Sequence, residues 1–600
     1  MNNAGKTGDV FHPRTAFLFA LIIAAIMASI DLVGAYARNS LDLLSDPDSN
    51  MRMQQVRDLL AGQSWFDVRM TRFGLEGYTP MHWPRLADIV PAGFIWALTP
   101  LIGREMAEVV TVTSVPMLYR VPLFFVCIWA AHRIVPSVTT RVVGLAALVL
   151  LIQLPFLHIH FRPGLIDHHN LQMIALAVLI GGFVGIRTLK SGVIAAVGLV
   201  FGLVIGFDAV PYVASAILAL GLLWVFDPQA EQRFLKGFGY GTLALTALCA
   251  PIFIPQPWTN VWCDSWTVPV AAILFSSGGV AVLMATWLGN LPHWWQRLFA
   301  AILVGGGVLA GLVLLFPACL NPLPLQDPLI DKYWMSGITE NSSLSKLVGA
   351  SGSVVFIWLL PIVALIYFVY SIWLGRLTLE ATLPALGMVA VGLLFSAAVS
   401  RGIPMLSLAT ALILTPLLAQ FFSQAKSHKF AILFVCASLV FAAGSTIKSI
   451  VMPDKTWVTL VDGVRIPEET DAAFCLKPED VAALRRLPPG LMIAPFGPSE
   501  FILRQTLHRT SFAGYHRAKD DNLWVIRWLI AQPEVAKSML NEHHPRYVFT
   551  CKFDTHFKFM AESDPNSFVA RLVQDKPPGW VKPVAELSGG GRVYEIFPTK

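Results

Sequence analysis

Runs of 17 to 25 apolar residues, long enough to cross a bilayer, recur from position 15 to about position 450. No soluble fold can bury that many continuous apolar stretches. The charged fraction agrees: it is 14%, against about 25% in soluble domains, and the mean hydropathy is +0.62. Apolar length places candidate spans near 15–36, 107–131, 142–160, 170–186, 192–207, 209–226, 237–254, 267–288, 298–317, 351–371, 379–398, 404–422 and 430–450. The N-terminal stretch has a charged start and an apolar core. That core is too long for a secretory signal, and no small-residue cleavage site closely follows it, so it reads as an uncleaved first span.

Basic residues orient the bundle. With Lys6 and Arg14 in the cytoplasm, alternate short loops on that side carry Arg133 and Arg141, Arg187 and Lys190, Arg233 and Lys236, Arg297, Arg376, and Lys426 with Lys429. The other side receives long loops at 37–106 and 318–350, plus everything after position 452. A further apolar stretch at 88–103 is read as a helix lying on or dipping into the outer face, because a span there would reverse every later loop. The net charge of +6 sits mostly in these short loops, and no interleaved basic and aromatic surface points to nucleic acid. After Met452 the composition shifts to Pro-Gly turns, short β-rich runs and amphipathic stretches. The sequence thus divides into a transmembrane part, 1–451, and an extracytoplasmic α/β domain, 452–600. Seven cysteines show no metal-type spacing. Cys127, Cys249 and Cys436 lie in apolar runs as packing residues, whereas Cys475 and Cys551 could pair in an oxidising compartment.

In so charge-poor a chain, ionisable groups near membrane level need a reason. Three acidic clusters fall on the expected outer face. Asp46-Pro47-Asp48-Ser49-Asn50-Met51-Arg52 follows the first span, with Gly62 and Trp65-Phe66-Asp67 beyond it. Arg162-Pro163-Gly164-Leu165-Ile166-Asp167-His168-His169 follows the third span, and Ser336-Gly337-Ile338-Thr339-Glu340-Asn341 precedes the tenth. Taken singly, these are a helix cap, a pair of solvated imidazoles and a loop carboxylate. Taken together, oxygen ligands from separate segments plus an imidazole suit Mg²⁺ or Mn²⁺, which could hold a phosphate leaving group. Arg401, between two apolar spans on the same face, could either snorkel to headgroups or grip a phosphate bidentately.

These segments resemble the catalytic subunits of oligosaccharyltransferases, in the glycosyltransferase C class. Asp46 to Arg52 matches that family's D-P-x-x-N-x-R segment at every fixed position; Gly62, Trp65-Phe66-Asp67 and Trp83-Pro84-Arg85 resemble the family's continuation of that segment. Gly164 with Asp167-His168-His169 resembles the second acidic motif, Ile338-Thr339-Glu340 the loop motif, and Arg401 the phosphate-binding arginine. The likeness covers roughly 15–450. It implies a mainly α, polytopic membrane bundle of about 13 spans with an outward C-terminal α/β domain. It also implies a divalent metal, Mg²⁺ or Mn²⁺, among Asp46, Asp167, His169 and Glu340, with Asp46 and Glu340 catalytic. Arg401, Arg52, Trp83, Arg85 and His168 would bind substrate.

The expected function is transfer of a sugar or oligosaccharide from a polyprenyl-(pyro)phosphate donor, within a bacterial inner membrane. No W-W-D-Y-G run, which reads the acceptor asparagine in that family, occurs between 452 and 600, so a lipid or polysaccharide acceptor stays open. Thr506-Leu507-His508-Arg509 and Tyr515-His516-Arg517 could line a different site or simply be solvated. A transporter is the alternative from another class. It would place polar residues near mid-membrane and repeat its halves, whereas the acids here, Asp208 included, fall at helix ends.

Overall fold

In a computed structural model, residues 10–37, 46–321, 327–338, 340, 342–350, 356–424, 457–459, 465–467, 475–551 and 554–597 are described. The long apolar stretches form helices: α1 (Pro13–Ala37), α4 (Arg104–Leu118), α5 (Arg120–Ile134), α6 (Thr140–Ile152), α7 (His169–Phe183), α8 (Leu189–Ile205), α9 (Val210–Phe226), α10 (Pro228–Phe253), α11 (Val268–Thr286), α12 (Trp294–Leu315), α13 (Phe356–Trp373), α14 (Leu379–Ala398) and α15 (Ile403–Gln424). Seven described helical stretches are long and apolar enough to cross a membrane, and five shorter apolar helices stand with them. The expected span at 430–450 and Cys436 lie outside the described residues.

Two further helices precede α4. The first, α2 (Pro47–Leu60), is polar, yet Ser49 through Val56 are all buried. A polar helix buried on every side needs polar partners, and these define the site below. The second, α3 (Ile89–Ile102), covers the ambiguous apolar stretch. Its 14 residues reach only ~21 Å, short of the ~30 Å hydrocarbon core, unless the turn at Arg85–Asp88 is added. It folds back at Gly103 to pack on α4.

Side-chain caps start several helices. Thr188 and Ser191 form a reciprocal capping box on α8, and Asp227 accepts from Ala230 N at the head of α10. Small residues then let backbones approach. The α8–α10 contact is close because a Cβ on Gly192 would strike the Phe234 carbonyl, and one on Gly237 would strike that of Leu189. One apolar core runs through the bundle from Ala16 to Phe422.

The C-terminal part contains a five-stranded sheet. Its strands, following a two-stranded hairpin of β1 (Arg69–Thr71) and β2 (Tyr78–Pro80) in the 37–106 loop, are β3 (Leu491–Ile493), β4 (Arg509–Ser511), β5 (Tyr547–Cys551), β6 (Val581–Glu586) and β7 (Gly591–Ile596). The order is β4-β3-β5-β7-β6, with β4, β3 and β5 parallel and the β7 pairings antiparallel. Helices α16 (Pro498–Gln505) and α17 (Lys519–Ile530) fill the crossovers. The edge at β4 is covered by the 37–106 loop: Gly74 N donates to Thr510 O at 2.8 Å, and Thr510 N to Arg72 O at 3.0 Å. Cys475 and Cys551 are joined, and so are Cys263 and Cys319, a pairing that spacing alone did not suggest.

The close α8–α10 contact makes a specific demand. Gly192→Leu should lower the thermal midpoint of the detergent-solubilised protein, at an overpacking cost of about 1–3 kcal/mol. Gly221→Leu, where a Cβ meets nothing within 4 Å, should leave the midpoint unchanged or slightly raised.

Candidate active site at one end of the helix bundle

Asp46 is the N-cap of α2. Its backbone is extended (φ −78°, ψ 130°), and Oδ2 accepts from both the Ser49 amide and the Ser49 hydroxyl at 2.8 Å. Capping is the ordinary role of an aspartate before a helix, and here it fixes the carboxylate beside the cluster. Asp48, in the first turn, accepts from the Tyr515 hydroxyl at 2.8 Å, a contact spanning most of the chain.

One turn on, Arg52 is completely buried. Its Nη1 donates to Asp88 Oδ1 at 3.1 Å, its Nη2 lies 3.6 Å from Asp167 Oδ1, and its guanidinium sits 4.6 Å from the Trp83 ring centroid. Arg85 also holds Asp88, at 3.2 Å, and reaches Gln63 Oε1 and the Asp67 carbonyl at 2.6 Å each. Trp65 and Asp67 serve the same framework: the indole donates to Ile252 O at 2.6 Å, and the carboxylate pairs with Arg69 at 2.8 Å.

Asp167 and His168 lead into α7. His168 Nδ1 lies 2.6 Å from Asp167 Oδ1, and His169 Nε2 lies 3.3 Å from Asp167 Oδ2. Asp208, in the turn between α8 and α9, comes within 3.6 Å of His168 Nε2 and 3.5 Å of His169 Nδ1. Its other oxygen is 3.5 Å from Arg401 Nη1, and Arg401 Nη2 is 3.1 Å from Glu340 Oε2. The result is a line of alternating charge from Arg52 through Asp167, His168, Asp208 and Arg401 to Glu340, with His169 beside it.

The charge is not balanced everywhere. Burial, then the nearness of Asp167, pushes the Asp46 carboxyl up to about 6 and the Asp48 carboxyl up to about 7. Burial also works against ionising Asp167, yet His168, His169 and Arg52 hold it well below the usual carboxylate range. His168, despite its burial, is raised to about 9 by Asp167. Asp46 and Asp48 thus face uncompensated negative charge, which suits a cation. The donor atoms suit one too: Asp167, His168 and His169 offer ligand atoms within 4.8 Å of one another, and Asp46 and Glu340 lie within electrostatic reach.

Of the residues expected from sequence, Asp46, Asp167, His168, His169, Glu340 and Arg401 come together. Glu340 and Arg401 form the exposed end, with side-chain exposures of 53% and 42%. Arg52, Trp83 and Arg85, expected to bind substrate, are buried: the two arginines bond protein groups, and Arg52 packs on the Trp83 ring. Asp48, Asp208 and Tyr515 were not among the expected site residues. Asp48 stood inside the first motif, Asp208 stood out as an acid at a helix end, and Tyr515 belonged to a run that could line a different site or simply be solvated. The neighbouring His516 and Arg517 are not idle surface either. Both bond Asp264, Arg517 at 2.6 Å, and Arg517 stacks 3.7 Å over Trp262.

No family model and no curated protein matches the sequence. Solved structures of the oligosaccharyltransferase AglB from Archaeoglobus fulgidus do match in three dimensions. The apo form aligns with a TM-score of 0.65 at 12% identity, covering 91% of this chain and 71% of that one. The complex with an inhibitory peptide and a dolichol-phosphate aligns with a TM-score of 0.65 at 13% identity, covering 98% and 74%. The complex with zinc and sulfate gives 0.56 at 12% identity, covering 96% and 73%. The likeness carried by short motifs therefore extends along nearly the whole chain, which has the fold of an archaeal oligosaccharyltransferase.

Proposed function

We propose that the chain is a membrane glycosyltransferase moving a sugar or oligosaccharide from a polyprenyl-(pyro)phosphate donor to an acceptor on the outer membrane face. The observation that carries this reading is the clustering of Asp167 and His169 from one segment with Asp46 and Glu340 from two others, within electrostatic reach of one another and with surplus negative charge beside Arg401. The fold match adds support, since the archaeal relative was solved with a dolichol-phosphate and, separately, with zinc and sulfate.

In this reading Asp46, Asp167, His169 and Glu340 hold a divalent cation, Mg²⁺ or Mn²⁺. When bound, it supplies charge stabilisation to the departing phosphate. Arg401 offers its guanidinium fork to a phosphate oxygen. Asp46 orients the acceptor and takes its proton as the acceptor atom bonds to the anomeric carbon and the bond from that carbon to the phosphate oxygen breaks. Arg52, Trp83 and Arg85 act through the residues they hold: Arg52 and Trp83 fix Asp167 and α2, and Arg85 fixes Asp88. His168, clamped between Asp167 and Asp208, orients both carboxylates.

The same reading takes the protein to span a bacterial inner membrane about 13 times, with residues 452–600 as an outward domain after the spanning part, 1–451. Two disulfides in loop and tail segments support an oxidising compartment for that face. The missing W-W-D-Y-G run favours an acceptor other than a sequon asparagine, such as a lipid or polysaccharide hydroxyl. A transporter is disfavoured because the charged line sits at the ends of helices, and every member is paired to the next.

Two experiments test this. Purified protein should transfer sugar from a lipid-linked donor, lose the activity with chelator and regain it with Mg²⁺ or Mn²⁺. Asp46→Asn should fold normally yet lose turnover by orders of magnitude, because several kcal/mol of charge stabilisation leave the barrier. Full activity in that variant, or indifference to chelator, would reduce Asp46 to a helix cap. For topology, an export-dependent reporter fused after Lys600 should be active and a cytoplasm-dependent one silent. A silent export reporter would mean that α3 crosses the membrane.

A further inference from the structure

On α2, Asp48, Arg52 and Gln55 share one face, and Asn50, Gln54 and Arg57 share the opposite one. The first faces the acidic cluster. The second borders a cavity of about 500 Å³ that is also lined by Arg72 of the hairpin loop and by Arg485, Arg504 and Leu507 of the tail. Arginines dominate this wall.

Three of them converge on the carbonyl end of α16. Arg57 Nη1 donates to Arg504 O at 2.6 Å, Arg485 Nε to Gln505 O at 2.8 Å, and Arg72 to Leu503 O at 3.0 Å and Thr506 O at 2.7 Å. Carbonyl dipoles orient these cations but offset only part of a charge. Carboxylates offset part of the rest. Glu108 is shared between Arg57 at 2.6 Å and Arg104 at 2.7 Å, and Asp58, which accepts from Gln54 and Thr71, acts on Arg72, leaving fewer carboxylates than guanidinium groups on this wall. Arg72 is held at φ 62°, in the left-handed region that side-chain-bearing residues seldom adopt. The cavity keeps a positive surplus.

Its size exceeds that of a bare ion and fits a small organic ligand. The amides of Gln54 and Gln505 and the Thr506 hydroxyl suit sugar hydroxyls, and Leu487 and Leu507 offer apolar surface to a pyranose ring face. We propose that this cavity binds an anionic saccharide, a pyranose bearing a carboxylate or a phosphate, belonging to a glycan handled at the acidic site across α2. The assignment of the ligand to a handled glycan rests on the glycosyltransferase reading. The anionic group meets the Nη fork of Arg485, whose Nε alone is engaged, while Arg72, held by backbone carbonyls, adds positive charge beside it.

The test is direct binding to the full-length protein in nanodiscs, without turnover, measured by calorimetry. The probes are a trigalacturonate, its carboxyl-reduced neutral counterpart and inorganic phosphate. The acidic trisaccharide should bind at least about tenfold more tightly than the neutral one, and raising salt should weaken it. Arg485→Glu, at an exposed position, should lower its affinity about tenfold or more with an unchanged thermal midpoint. Arg485→Gln serves if the charge reversal impairs folding. Asp46→Asn should leave binding intact.

Equal binding of acidic and neutral sugars, indifference to both Arg485 variants, or phosphate matching the trisaccharide would overturn the proposal. Displacement by a uronate-bearing lipid-linked donor assigns the site to the donor glycan, and displacement by a soluble uronate polysaccharide assigns it to the acceptor. Binding without any sugar transfer would sink the enzymatic reading and leave the site. Transfer without acidic-sugar binding would do the reverse.

Discussion

A fully buried guanidinium, that of Arg52, sets the terms for the rest of the site. Removing a cation from water costs several kcal/mol unless carboxylates meet it at good geometry. Asp88 and Asp167 meet it here, from the turn before α3 and the turn before α7, and the Trp83 ring packs on its face. Two segments distant in sequence, 83–88 and the turn at Asp167, are thereby tied to α2, and neither can shift without leaving charge buried and unpaired. Asp46 and Asp48 sit at the head of that same helix, so their positions depend on the anchor one turn below. Asp88 also needs Arg85, which closes the framework from behind.

Charge is sorted across α2. Its carboxylate-bearing face meets the histidines and Asp167, and its other face meets the arginines of the tail cavity. The C-terminal part closes both sides: Tyr515 bonds Asp48 on one, and Arg504 bonds Asn50 on the other. An apolar patch of Met51, Met70, Phe73, Met81, Trp83, Leu503, Ala513, Tyr515 and Ala518 seals the seam. The tail is therefore part of the site's wall. Burial by the tail also contributes to the raised pKa values of Asp46 and Asp48, since an open α2 would leave both carboxylates hydrated.

Much of this was legible in the sequence, for identifiable reasons. Apolar length is a local signal, and the helix Leu379–Ala398 matches the stretch read from residues alone. The acids of the 46–52 segment and the Asp167-His168-His169 run were conspicuous because charge is scarce in this chain. What escaped depends on contacts between distant segments. Asp208 acquires meaning only when the turn between α8 and α9 is brought against α7 and Arg401. Tyr515, in a run open to either a site-lining or a solvated reading, and Arg504, in ordinary amphipathic sequence, both have partners more than 400 positions away. Cys263 and Cys319 lie in different loops, 56 residues apart, with no spacing rule to join them. Arg52, Trp83 and Arg85 show the converse: motif membership marked them as site residues but could not say that they would be buried.

The alternating line from Arg52 to Glu340 also bears on what kind of work this end of the molecule can do. Its members come from α2, the heads of α7 and α9, the α14–α15 turn and the 318–350 loop, and each link is an ion pair or a charge-assisted contact. Sliding one helix group against another, as alternating access requires, would break several links at once inside a poorly hydrated interior. The line is instead buried and fixed at Arg52 and solvent-accessible at Arg401 and Glu340. Such a gradient favours a rigid platform that presents preorganised charge to a ligand arriving at its open end, where fixed dipoles and charges cost no reorganisation when bonds change.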